Sequence, residues 1–187
     1  MNRALALLIG AGLAVAAILI TVFAPTEEQQ MAPFVRVIPA LETGIASREF
    51  ELTVHGVRIA ERLQTPEWVG ETEGIWIVAD IEFSGRIDMT GIDGLLRIGD
   101  RDYLASARPE YAAIDEGAMS EPGLPWAGSM VFEIPASALG APAAHAAVIQ
   151  FATGDTRLDG VLEYTVDLAG IEREDSITVI EPERVAP

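Results

Sequence analysis

From Ala4 to Ala24 the chain carries no charged side chain and one polar one, Thr21. As a helix that run extends about 31 Å, close to the hydrocarbon thickness of a bilayer. From Arg48 onward the pattern changes to period two. Phe50, Leu52 and Val54 share one face, with Glu49, Glu51 and Thr53 on the other. Past Gly56 the apolar positions are Val57 and Ile59, a phase slip that predicts a β-bulge turning the strand from one sheet towards another. The stretch Gly74–Phe83 sets Ile75, Ile77, Ala79, Ile81 and Phe83 against Trp76 and Val78, which predicts a central strand. Met130–Ile134, Ala147–Phe151 and Leu162–Leu168 alternate in the same way. A hairpin is predicted at Gly99-Asp100-Arg101-Asp102.

Turn residues divide these runs into seven or eight short strands, with at most one helical turn at Ser137–Leu139. Thr65–Gly74 reads as an acidic loop, and 105–127 is rich in turns. The expected architecture is all-β: an immunoglobulin-like, two-sheet antiparallel sandwich preceded by one N-terminal transmembrane helix. Residues 1–3 form a cytoplasmic N-terminus, 4–24 the signal-anchor helix and 25–33 a juxtamembrane linker holding Pro25 and Pro33. The sandwich spans 34–170, with Phe34–Ile38 opening it as an edge strand, and 171–187 is read as an acidic flexible tail. Trp76 is expected to fill the space between the sheets.

Arg3 precedes the apolar run while Glu27 and Glu28 follow it, so the positive-inside rule places the N-terminus in the cytoplasm and the C-terminal domain outside the cell membrane. The alternative is a cleaved signal peptide, but its apolar core is usually about 7–15 residues long. Phe23-Ala24-Pro25 also makes a poor cleavage site. Ala6, Gly10 and Ala14 recur every four residues, as do Gly12 and Ala16. Such spacing lets two membrane helices approach closely, so self-association through this helix stands beside the reading of a plain lipid-spanning segment.

Composition then narrows the classes. The formal net charge is −17, and every acidic residue lies beyond the apolar run. That sign repels phosphate backbones and excludes nucleic-acid binding as the reading. The chain has no Lys and is rich in Ala, a bias typical of GC-rich bacterial coding sequences. The absence of Cys removes disulfides, a cysteine lipid anchor, thiolate nucleophiles and thiolate metal sites.

The search for chemistry yields little. His55 and His145 have no His or Cys near them in sequence, and no nucleophile elbow, zinc helix or phosphate-binding glycine loop is present. Asp88, Asp93, Asp100 and Asp102 do not match a calcium loop and read as turn caps. No cofactor and no catalytic residue is assigned. Trp68, Tyr111 and Trp126 fall in predicted loops, where exposed aromatic side chains make partner-binding anchors or else fold back to plug the end of the sandwich.

Three pieces carry a resemblance: Phe50-Glu51-Leu52-Thr53-Val54; Gly74–Phe83 followed by Leu96–Tyr103; and Pro122-Gly123 followed by Gly128–Pro135. Over about residues 47–152 the chain resembles an uncharacterised family of bacterial extracytoplasmic immunoglobulin-like domains, membrane- or lipid-anchored, with a telomeric-repeat-binding-factor-like immunoglobulin-like fold. The usual lipid-attachment Cys is missing, and Gly85 stands where an asparagine-rich turn is common. The resemblance implies fold and location, and no catalytic residue carries over from it. The expectation is a non-catalytic, single-pass interaction or accessory module of a cell-envelope complex with a protein partner. The alternative is an extracytoplasmic sensor domain that binds a ligand or cation.

Overall fold

A computed structural model describes residues 3–24, 32–154, 156 and 160–186. The chain divides into two units, Met1–Ala32 and Pro33–Pro187. In the first, one helix, α1 (Arg3–Phe23), covers the apolar run. Its side chains are described at 9–21, 23 and 24, where all are exposed, Gly10 and Ala14 among them. The side chain of Ala6 and linker residues 25–31 lie outside the described residues. Among the described residues, no helix is long and apolar enough to cross a membrane.

Among the described residues the second unit holds eleven strands. They are β1 (Phe34–Val37), β2 (Ile45–Ala46), β3 (Phe50–Gln64), β4 (Val69–Gly85), β5 (Asp93–Ile98), β6 (Arg101–Leu104), β7 (Trp126–Ile134), β8 (Ala147–Ala152), β9 (Gly160–Val166), β10 (Arg173–Thr178) and β11 (Glu183–Arg184). One sheet runs β1-β9-β8-β5-β6; the other runs β10-β3-β4-β7-β11, with β2 beside β3. The result is a two-sheet β-sandwich. The sheets are mixed rather than antiparallel throughout, because β1 joins β9 and β10 joins β3 in parallel.

Alternation along β4 explains the layering. Ile75, Ile77, Ala79, Ile81 and Phe83 enter the core between the sheets. There they meet Phe50, Leu52 and Val54 of β3, Met130 and Phe132 of β7, and Leu96, Ile149, Phe151 and Leu162 from the facing sheet. Trp76 and Val78 point the opposite way and are fully buried in a second cluster with Ala60, Leu63, Val131, Ile177 and Val179. Trp76 therefore does not fill the space between the sheets. Neighbours on a strand face opposite sides, so a residue between Ile75 and Ile77 must sit on the outer face.

Covering that outer face recruits the acidic C-terminal segment. Residues from Ile171 onward are not a loose tail: β10 adds to the edge of β3, β11 pairs with β7, and Ile177 and Val179 are 1% exposed. The bulge at Gly56 is present as a register shift between Val54 and Gly56, but β3 stays in one sheet on both sides of it. The expected loop Thr65–Gly74 shrinks to the turn Thr65–Trp68, since β4 already begins at Val69. The hairpin joining β5 and β6 turns at Gly99-Asp100, with Gly99 at φ 60°, a conformation glycine adopts without steric cost.

Ile177→Ala empties part of the second cluster at a site with no room to collapse. We expect a loss of about 2–4 kcal/mol in denaturant unfolding of the full chain. A loss below about 0.5 kcal/mol is what a loosely attached tail would give.

Candidate partner-binding groove

The β3–β4 turn positions the first aromatic. The Thr65 amide donates to the Trp68 carbonyl at 2.8 Å, and the Trp68 amide donates to the Thr65 hydroxyl at 3.1 Å. The Trp68 ring then folds back over Gly70, where a Cβ would lie 2.0 Å from the ring, so only glycine admits this placement. Trp68 meets Trp76 edge to face, with centroids 6.0 Å apart and an interplanar angle of 87°. The indole N–H of Trp76 donates to the Gly70 carbonyl at 3.2 Å.

A second device lies one step along β4. Between the pairs Ala60–Trp76 and Arg62–Glu71, residues Thr72–Ile75 stand opposite Glu61 alone, so β4 bulges widely. The bulge carries the Thr72 hydroxyl to the Glu133 carboxylate of β7. Arg108 completes the group. Its guanidinium lies 5.4 Å from the Trp68 ring centroid and 5.1 Å from that of Trp76. Nη1 donates to both Glu133 oxygens at 2.9 and 2.8 Å, and Nη2 donates to the Glu71 carbonyl at 3.1 Å. Burial alone would raise the Glu133 carboxyl; the bonds from Thr72 and Arg108 outweigh it and hold the group below its ordinary value.

The chain after Arg108 forms the far wall. Glu110 takes a left-handed φ of 49°, a strained conformation for a residue with a Cβ, and projects Tyr111 outward at 72% exposure. Trp68 and Tyr111 thus line one groove of about 310 Å³ with Arg108 between them. Glu67, Glu110 and Glu181 stand on its rim. None of the three has an ion-pair partner among the described residues. The resident cation is already neutralised by Glu133, so the groove pairs aromatic surface with uncompensated negative charge.

The structure brings Trp68 and Tyr111 together but not Trp126. That residue begins β7 opposite Phe83, half-buried against the main core, with the Arg184 guanidinium 5.5 Å from its ring and its indole N–H buried without a partner. Sequence reasoning did not single out Arg108, Glu133 or Glu181. The bonds linking Arg108 to Glu71 and Glu133 span 37 and 25 residues, and local pattern carries no trace of them.

The remaining polar groups are mostly paired. His55 Nδ1 lies 2.8 Å from Glu42, and His145 Nδ1 lies 2.9 Å from Asp167. Arg97 grips Asp102 through two bonds of 2.7 and 3.1 Å, and this holds the Asp102 carboxyl below its usual value. Among the described residues no three His, Cys, Asp or Glu are grouped so as to hold a metal ion. A separate pocket of about 390 Å³ contains Asp93, Asp115 and Glu116. Asp115 has one buried carboxylate oxygen without a partner, and its pKa is raised to about 6 by burial, with repulsion from Glu116 and Asp93 adding to it.

No family model matches the chain, and no curated protein matches it. Among solved structures it is similar to an uncharacterized beta-sandwich protein from Clostridium difficile 630, with a TM-score of 0.50 and 10% identity over 75% of this chain and 98% of that one. At that identity the likeness supports the β-sandwich and nothing finer.

Asp115 gives a pH signature of fixed sign. Its pKa is 3.8 ordinarily and about 6 when folded, so the native state holds a proton that the unfolded chain releases between those values. Its contribution to stability falls as pH rises through that window and is level above it. Asp115→Asn is expected to flatten the slope and to raise stability at neutral pH by about 1–2 kcal/mol, the full shift being discounted for partial exposure. Urea melts of both proteins between pH 4 and 7 read the difference.

Proposed function

We propose that this protein is a non-catalytic interaction module of a bacterial cell envelope, held at the membrane by residues 4–24 with its N-terminus in the cytoplasm and its sandwich outside. The uninterrupted apolar run and its flanking charges support the placement. In this reading the sandwich is of immunoglobulin-like type. Its working surface is the groove between Trp68 and Tyr111, and its ligand is an extended, positively charged segment of a partner protein.

The observation that carries this reading is the composition of the groove. Trp68 lies under the paired Arg108 guanidinium and exposed Tyr111 lines the same groove, while Glu67, Glu110 and Glu181 beside them have no ion-pair partner among the described residues. Aromatic faces attract cationic side chains and stack on flat extended backbone; the rim charge steers a basic ligand in and repels an acidic one. Binding anchors of this kind concentrate in a few large aromatic residues.

The test uses full-length protein in mild detergent and a fluorescent arginine- and proline-containing peptide, with a glutamate-containing peptide as control. Binding of the basic peptide is expected to weaken about tenfold or more in Tyr111→Ala and in Glu110→Gln, and to fall steeply with salt. Tyr111 is 72% exposed, so its removal leaves the fold intact. Equal binding by wild type and Tyr111→Ala, or equal binding of both peptides, would sink the reading.

A second reading, a sensor domain for a small cationic ligand, draws on the pocket containing Asp93, Asp115 and Glu116, where one carboxylate oxygen has no partner. A thermal shift with a millimolar organic polyamine such as spermidine that disappears in Asp115→Asn separates it from the first.

A further inference from the structure

The sandwich has one sheet edge that differs from the others. An unpaired edge strand presents free N–H and C=O groups, and exported proteins ordinarily protect such edges with charge, proline or cover. At the edge of the second sheet β10 carries Arg173, Glu174 and Asp175, and at the far edge of the first sheet β6 carries Arg101 and Asp102. The β7 side of the second sheet is covered by β11 and by a bridge from Ala113 to Ser129. Among the described residues β1 has prolines only at its two ends, Pro33 and Pro39, and no strand or bridge along its free side. Phe34, Val35 and Val37 are 67%, 48% and 63% exposed, and among the described residues β1 pairs only with β9. Its single charge, Arg36, turns back to donate to the Ala46 carbonyl at 2.8 Å instead of standing guard over the edge.

We propose that β1 pairs with β1 of a second copy, joining two sandwiches into one continuous ten-stranded sheet. Charge argues for a copy as the occupant. The molecule carries a net charge of −17, yet residues 32–41 contain no acidic side chain, so this is an edge at which two copies meet without facing carboxylates. Length argues the same way. Pro33 and Pro39 bound the edge and cannot donate to a ladder, which limits the incoming strand to about the length of β1 itself. The apolar side chains of β1 stand on both faces of the strand, and a second copy supplies matching apolar side chains on both.

The register follows from symmetry. A two-fold axis perpendicular to the sheet keeps both sandwiches on the same side and sets one residue opposite its own copy. Centring on Arg36 would set two like charges opposite each other; centring on Val35 sets apolar Val35 against Val35 and leaves each Arg36 guanidinium on the Ala46 carbonyl it already holds. Directly opposed residues have Cα atoms about 4.5–5.5 Å apart, within reach of a disulfide.

The chain has no cysteine, so one introduced thiol reports only contacts between copies. Full-length Val35→Cys in native-like membranes or mild detergent, under gentle oxidation, is expected to run as a disulfide-linked dimer. Leu104→Cys, 74% exposed on the opposite edge of the same sheet, is expected to stay monomeric. By light scattering the wild type should have twice the protein mass of Val35→Lys, whose far-ultraviolet circular dichroism should match the wild type's because Val35 is a surface residue of the single chain. Cross-linking no better than that of Leu104→Cys, or a mass unchanged by Val35→Lys, overturns the proposal. So does dimerisation abolished by Gly10→Leu but untouched by Val35→Lys, which assigns association to the helix; an unaffected dimer in Gly10→Leu with loss in Val35→Lys supports it.

Discussion

The constraint on which the sandwich depends is that the β3–β4–β7 sheet is apolar on both faces. One face is covered by the other sheet, as in any two-layer sandwich. The other carries Trp76, Val78 and Val131, fully buried, and a half-finished sandwich would leave them in water. Burying a side chain the size of tryptophan is worth several kcal/mol, enough to order a segment that would otherwise be loose. The C-terminal strands and the chain around Arg108 serve as that cover. Ile177, Val179 and Ala112 complete the cluster, and Trp68 packs against it from the hairpin turn.

The groove is a consequence of the same arrangement. A cover assembled from three separate segments meets at seams, and one seam is where the hairpin turn, the chain after Arg108 and the stretch leading to β11 come together. Arg108 lines that seam. Its guanidinium is flat, permanently charged and bonded to Glu133 and the Glu71 carbonyl, and from this partly exposed position it lies over two indole rings. A lysine has neither the planar fork nor the stacking surface to do this.

The legible part of this fold is whatever is encoded within a few residues. The inner face of β4, the glycine bulge at Gly56 and the Gly99 hairpin each rest on neighbours in sequence, and the structure realises all three. The same alternation assigns Trp76, between two inward isoleucines, to the outer face, against the expectation from its size and apolar character that it fills the space between the sheets. The C-terminal strand was not legible. In Arg173–Thr178 a single apolar residue, Ile177, follows three charged ones, and the segment becomes a strand only because its parallel partner β3 lies more than a hundred residues away in sequence. Parallel pairing leaves no local hairpin signature. The wide bulge at Thr72–Ile75 escaped for a related reason: its glycine and acidic residues read as a loop, whereas the residues on both sides remain in the ladder.

The site follows the same division. Trp68 and Tyr111 stood out as aromatic residues among turn formers, which is a local observation. That they share a groove, and that Trp126 does not, depends on which segments the second cluster draws over the sheet. The three rim glutamates show the limit most plainly. In a chain with 29 acidic residues, no count or spacing separates Glu67, Glu110 and Glu181 from the rest. What sets them apart is position beside two aromatic side chains with the nearby arginine already taken, and position is supplied by long-range packing. The apolar and negative groups of the groove are held together by a cover whose first task is to keep Trp76 dry.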